Sequence, residues 1–171
     1  MPAPTPAAAT SARAVVNLFV YNGLVIGVYA ASLAALRERL GLDAAGIAIL
    51  LVCAGVAAIT GMQLGGRMSD RIGARRIVLV CLPLLLVGLA VFGFATSYPM
   101  LIVGGLLLGL GNGGIDVAMN AIGVQVEATR PKPIMSFFHG MWSVGNFTGA
   151  ALVLLAALSW PSAPVQAAVS S

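Results

Sequence analysis

A chain of 171 residues that is 60% hydrophobic and only 8% charged has too few polar groups to cover a water-facing surface; soluble domains carry about 25% charged residues. Nine Lys and Arg against five Asp and Glu give a net charge of +4. The basic residues sit in short clusters between long apolar runs, which argues against a nucleic-acid surface and points to a lipid bilayer as the solvent.

Residues 1–13 are rich in Pro and Ala, lack an early basic segment, and read as a disordered cytosolic tail, not a cleaved signal. Beyond them the charges mark the segments. None falls from Ala14 to Leu36 or from Ala44 to Gly66, two runs of 23 residues each, and a hydrocarbon core of roughly 30 Å needs about 20 helical residues. The next uncharged run, Ile77 to Ile115, has 39 residues. It is too long for one span, and Thr96-Ser97-Tyr98-Pro99 divides it with turn formers. The expected spans are therefore 14–36, 44–66, 77–95, 99–126 and 136–158, followed by a short tail at 159–171. Continuous apolar runs without period-two alternation favour helices over a barrel. The expected fold is all-α and integral to the membrane, with five transmembrane helices. Cys53 and Cys81 lie inside apolar stretches and read as buried thiols.

Lys and Arg placement orients the bundle. Arg13, Arg67, Arg71, Arg75, Arg76, Arg130 and Lys132 fall on one side, and only Arg37 and Arg39 on the other. The positive-inside rule then puts the N-terminus in the cytoplasm.

Two features exceed what a generic helix bundle requires. The first is Gly66-Arg67-Met68-Ser69-Asp70-Arg71-Ile72-Gly73-Ala74-Arg75-Arg76, read as a tight loop between helices two and three. Glycine turns and inward positive charge explain the arginines, but not an acid between two glycines at the membrane edge. That carboxylate can pair with arginines or sit at a helix N-terminus. The second is Asn112, Asp116 and Asn120 on helix four, spaced i, i+4, i+8 and so on one face. Gly109 and Gly113 beside them permit close helix contact. A carboxylate on a spanning helix normally faces a protein interior or a water-filled cavity, where it can hold and release a proton. It binds a proton or solute, or else clamps helices together by hydrogen bonds.

Other polar residues carry weaker signals. Asn22, beside Gly23, either lines a cavity or hydrogen-bonds a neighbouring helix. His139 at the mouth of helix five can titrate near neutrality or reach headgroups. Phe138 and Trp142 read as lipid or packing contacts. Gln125 and Glu127 end helix four, with Glu127 solvated or paired with Arg71 or Arg130. No metal-ligand cluster, phosphate-cradling loop or catalytic triad occurs, so neither enzyme chemistry nor a cofactor is expected.

The pattern G-x-x-x-D-R-x-G-x-R-R at Gly66, Asp70, Arg71, Gly73, Arg75 and Arg76 resembles the signature loop of the major facilitator superfamily, between helices two and three. Ala74 stands where members usually carry a basic residue directly after the second glycine. The resemblance implies a secondary transporter of twelve helices in two six-helix halves, with solute bound between them. These five helices would be the first five of the N-terminal half. Asp70 would act in a conformational latch against the opposite half. Asp116-x-x-x-Asn120 also resembles the acid-x-x-x-Asn pattern of fucose-permease-like proton–sugar symporters, with Asp in place of the common Glu. Met119-Asn120 through His139-Gly140 resembles uncharacterised bacterial members. The implied partners are the bilayer of a bacterial-type inner membrane, a small solute, a proton, and a missing C-terminal half or another chain. A non-transporting helix bundle, or a small transporter that pairs copies, is the competing expectation.

Overall fold

The computed structural model describes residues 6–159, with side chains from Ala12 onward. Five helices follow in order: α1 (Pro6–Leu40), α2 (Ala44–Ile72), α3 (Ala74–Gly93), α4 (Tyr98–Glu127) and α5 (Met135–Ser159). All five are long and apolar enough to cross a membrane. Among the described residues the architecture is all-α with five spans.

The helices overrun the apolar runs. α1 begins at Pro6, so the part of the expected N-terminal tail from Pro6 to Arg13 is helix; residues 1–5 and 160–171 lie outside the described residues. α2 continues past Gly66 to Ile72. Uncharged length measures the thickness of lipid, whereas Ala, Arg and Met continue a helix beyond it at little cost.

The turns are short and capped. Asp43 precedes α2, and its Oδ1 accepts a hydrogen bond from the Gly46 amide at 2.8 Å, satisfying one of the free donors of a helix start. The Tyr98 hydroxyl donates to the Gly46 carbonyl at 2.8 Å, tying the start of α4 to that of α2. At the same end of the bundle Arg39 donates to the carbonyls of Gly93, at 3.2 Å, and Ala95, where α3 runs out of internal partners. At the opposite end α2 and α3 are joined by Gly73 alone, with φ 90°, a conformation that L side chains rarely adopt.

Packing follows glycine. α4 lies between α2 and α3, α5 packs on α1, and α1 also touches α4 to join the two groups. Gly23 and Gly27 of α1 abut the α5 backbone at Trp142 and Asn146, while Gly145 and Gly149 of α5 abut the α1 backbone at Val20 and Leu24. In lipid the hydrophobic effect does not drive helices together, so close backbone approach at small residues supplies the attraction. Phe19, Leu85, Ile115, Met119 and Phe138 form the main core. Ile49, Val52, Val56 and Ile59 of α2 and Phe147, Leu154 and Leu155 of α5 are exposed, an outer surface suited to acyl chains.

Candidate functional site

Of the expected polar residues of α4, Asp116 and Asn120 meet each other, and Asn112 is tied to α1 and through it to α5. Asn22 of α1 is only 2% exposed, and a buried side-chain amide needs partners. Its Nδ2 donates to Asn112 Oδ1 at 2.9 Å, and its Oδ1 accepts from the Trp142 indole at 2.8 Å. One hydrogen-bonded row thus spans α5, α1 and α4. Asn22 has the helix-bridging role weighed for it above. Trp142, expected as a lipid or packing contact, is instead a hydrogen-bond donor into the bundle.

One turn along α4, Asp116 is half-buried. Asn120 Nδ2 donates to the Asp116 main-chain carbonyl at 2.8 Å and lies 3.4 Å from its carboxylate Oδ1. No Lys or Arg among the described residues pairs with that carboxylate. His139, exposed on the first turns of α5, stands edge-on to Phe19 with ring centroids 5.3 Å apart. The arrangement offers an accessible carboxylate flanked by amides on a helix whose other faces are sealed against α2 and α3. That chemistry suits a proton or the hydroxyls of a small solute.

The expected tight loop from Gly66 to Arg76 is corrected. Gly66, Asp70 and Arg71 lie on the last turns of α2, Arg75 and Arg76 on the first turn of α3, and Gly73 alone forms the joint. The polar residues from Arg67 to Arg71 continue the helix and do not break it. Asp70, Arg71, Arg75 and Arg76 are exposed, and their side chains make no hydrogen bond or ion pair among the described residues. Arg75 lines a cleft with Gly73, Val15, Leu18, Ile122 and Gln125, between α1, α3 and α4.

Glu127 is half-buried and does not pair with Arg71. Its Oε2 accepts from the amides of Ile134, at 2.6 Å, and Met135, at 2.7 Å, and so caps the start of α5 with a carboxylate.

A family model described as Major Facilitator Superfamily matches residues 15–171. The chain belongs to that superfamily. Among its relatives, an uncharacterized transporter of Sinorhizobium fredii is 36% identical over 140 residues, covering 81% of this chain and 37% of the relative. An uncharacterized MFS-type transporter of Yersinia pestis is 32% identical over 142 residues, covering 83% of this chain and 36% of the relative. Putative polyol transporter 2 of Arabidopsis thaliana is 31% identical over 116 residues, covering 68% of this chain and 23% of the relative. The chain therefore spans between a third and two fifths of the length of the first two relatives. No solved structure matches it.

Proposed function

We propose that this chain supplies five helices of a secondary transporter for a small polar solute, sugar- or polyol-like, coupled to protons. The observation that carries the reading is Asp116: a half-buried carboxylate on a spanning helix, with an amide neighbour and no Lys or Arg partner among the described residues. Such a group is costly in a membrane and is best explained by a proton or solute that it binds. Asn112 and Asn120 flank it, and Asn22 holds α1 against Asn112. The names of relatives such as the plant polyol transporter support a hydroxylated solute. Asp70, Arg71, Arg75 and Arg76 around the Gly73 joint are exposed and unpaired among the described residues, which suits a latch closing on the remaining half or on another chain. The membrane is a bacterial-type inner membrane with the N-terminus in the cytoplasm, an orientation supported by the arginine-rich α2–α3 end.

The test is reconstitution into vesicles containing a pH-sensitive dye, with sorbitol or glucose added under an imposed pH gradient. Asp116→Asn abolishes solute-driven proton movement while helix content by circular dichroism stays unchanged. Full coupling in that variant refutes the role of Asp116. A second reading, a non-transporting bundle, is favoured by the half-buried Trp142–Asn22–Asn112 row. It predicts a correctly folded wild-type chain that moves neither solute nor proton.

A further inference from the structure

The hydrogen-bonded row across α5, α1 and α4 has a direction, and the chemistry of its first member fixes it. An indole N–H donates and never accepts. Asn22 must therefore meet Trp142 with its oxygen, at 2.8 Å. With the oxygen occupied, Asn22 turns its Nδ2 toward α4, where the Asn112 oxygen accepts it at 2.9 Å. Asn112 is left with both hydrogens of its own Nδ2, for which no described residue provides an acceptor, and the residue is half-exposed. The next turn is fixed in the same way. A main-chain carbonyl only accepts, so Asn120 faces the Asp116 carbonyl with Nδ2, at 2.8 Å. Along α4 the order is an amide donor at Asn112, a carboxylate at Asp116 and an amide oxygen at Asn120.

We infer that Trp142 is a positioning residue for this site: its indole N–H holds Asn22 and, through Asn22, makes Asn112 offer a ligand an N–H and never an oxygen. Asn112 and Asp116 lie one helical turn apart, a spacing of about 5–6 Å between side-chain origins. The matching solute carries an acceptor oxygen for Asn112 beside a hydroxyl that donates to Asp116. A polyol or sugar has both groups on adjacent carbons. The solute class rests on the transport reading above; the orientation of the amides does not.

The experiment uses the whole chain in detergent micelles, labelled with 15N at Asn and Trp side chains. In the wild type, the Trp142 indole and Asn22 Nδ2 hydrogens exchange with deuterated water about tenfold more slowly than those of Asn112, the protection that one buried hydrogen bond confers. Trp142→Phe shifts the Asn22 and Asn112 signals and removes the difference. A packing role for the ring predicts neither change. An Asn112 amide as protected as that of Asn22, or Asn112 signals indifferent to Trp142→Phe, overturns the inference. If Trp142→Phe does not fold, the exchange order in the wild type decides alone. Asn112→Ala deletes the outward donor together with the acceptor for Asn22 and adds no titratable group, so the sorbitol concentration for half-maximal proton movement rises at least about tenfold, the weight of one such bond. An unchanged value overturns the donor role. Amides in the stated order, together with a wild-type chain that gives no solute-driven proton movement, remove the transport reading and support the positioning role of Trp142.

Discussion

Gly27→Ala adds one methyl group where two helix backbones touch. The new Cβ would stand 2.9 Å from the Asn146 carbonyl carbon and 3.0 Å from the Ala150 amide nitrogen, and closer still to the Asn146 oxygen. These are main-chain atoms of α5, so no side chain can rotate away. Ordinary contact begins near 3.4 Å, so α1 and α5 must part by more than the 0.5 Å separating that value from 2.9 Å. A gap of roughly 0.5–1 Å forfeits a quarter to a half of each dispersion contact along the seam. Overpacking of this kind costs about 1–3 kcal/mol, against a gain of up to about 1 kcal/mol for replacing a helical glycine with alanine. The expected net loss is about 1–2 kcal/mol. Reversible unfolding in mixed micelles of increasing SDS fraction measures it, with Trp142 emission as the probe in a Trp160→Phe background. Gly55→Ala is the control, because a Cβ there meets nothing within 4 Å, and it should raise stability by up to about 1 kcal/mol. If Gly27→Ala is as stable as the parent with unchanged Trp142 emission, the reasoning about glycine contact between α1 and α5 is wrong.

Three further outcomes follow from the turns. Asp43→Ala removes the cap on the Gly46 amide and costs about 1 kcal/mol, with faster hydrogen exchange confined to the first turn of α2. Glu127→Ala strips the acceptor from the amides of Ile134 and Met135, costs about 1–2 kcal/mol, and accelerates exchange at those two amides, while Glu127→Asp restores part of the protection. Gly73→Ala forces a side chain into φ 90° and costs about 1–2 kcal/mol, readable as a lowered midpoint in the same SDS titration with helix content retained.

The five spans and the order of the helices were legible because lipid imposes a length and a polarity that composition records directly. Asn112, Asp116 and Asn120 were legible because polar residues inside an apolar run are conspicuous. The ends of the helices were not. Asp70 and Arg71 sit on α2 because helix and membrane end at different places, and charge reports only the membrane. Glu127 capping α5 escaped notice because its partners, Ile134 and Met135, are main-chain amides beyond a turn, outside the three-residue spacing by which a capping box shows itself. Trp142 escaped because an aromatic near a helix start looks alike whether its ring meets lipid or its N–H meets an amide. Asn22 and Trp142 are 120 positions apart, and nothing local joins them. The glycine spacings on α1 and α5 did indicate packing faces, without indicating that each is the other's partner.

The pairing of α1 with α5 sets an order of assembly. Asn22 emerges from the ribosome 90 residues before Asn112 and 120 before Trp142. Throughout that interval its amide lies in the translocation machinery or in hydrocarbon with neither native partner made, a state that disfavours early release into the bilayer. The expected outcome is that α1 stays beside the insertion site until α4 and then α5 arrive. A nascent chain halted before residue 142 should crosslink from position 22 to the insertase, and lose that crosslink once the indole has been synthesised and threaded in.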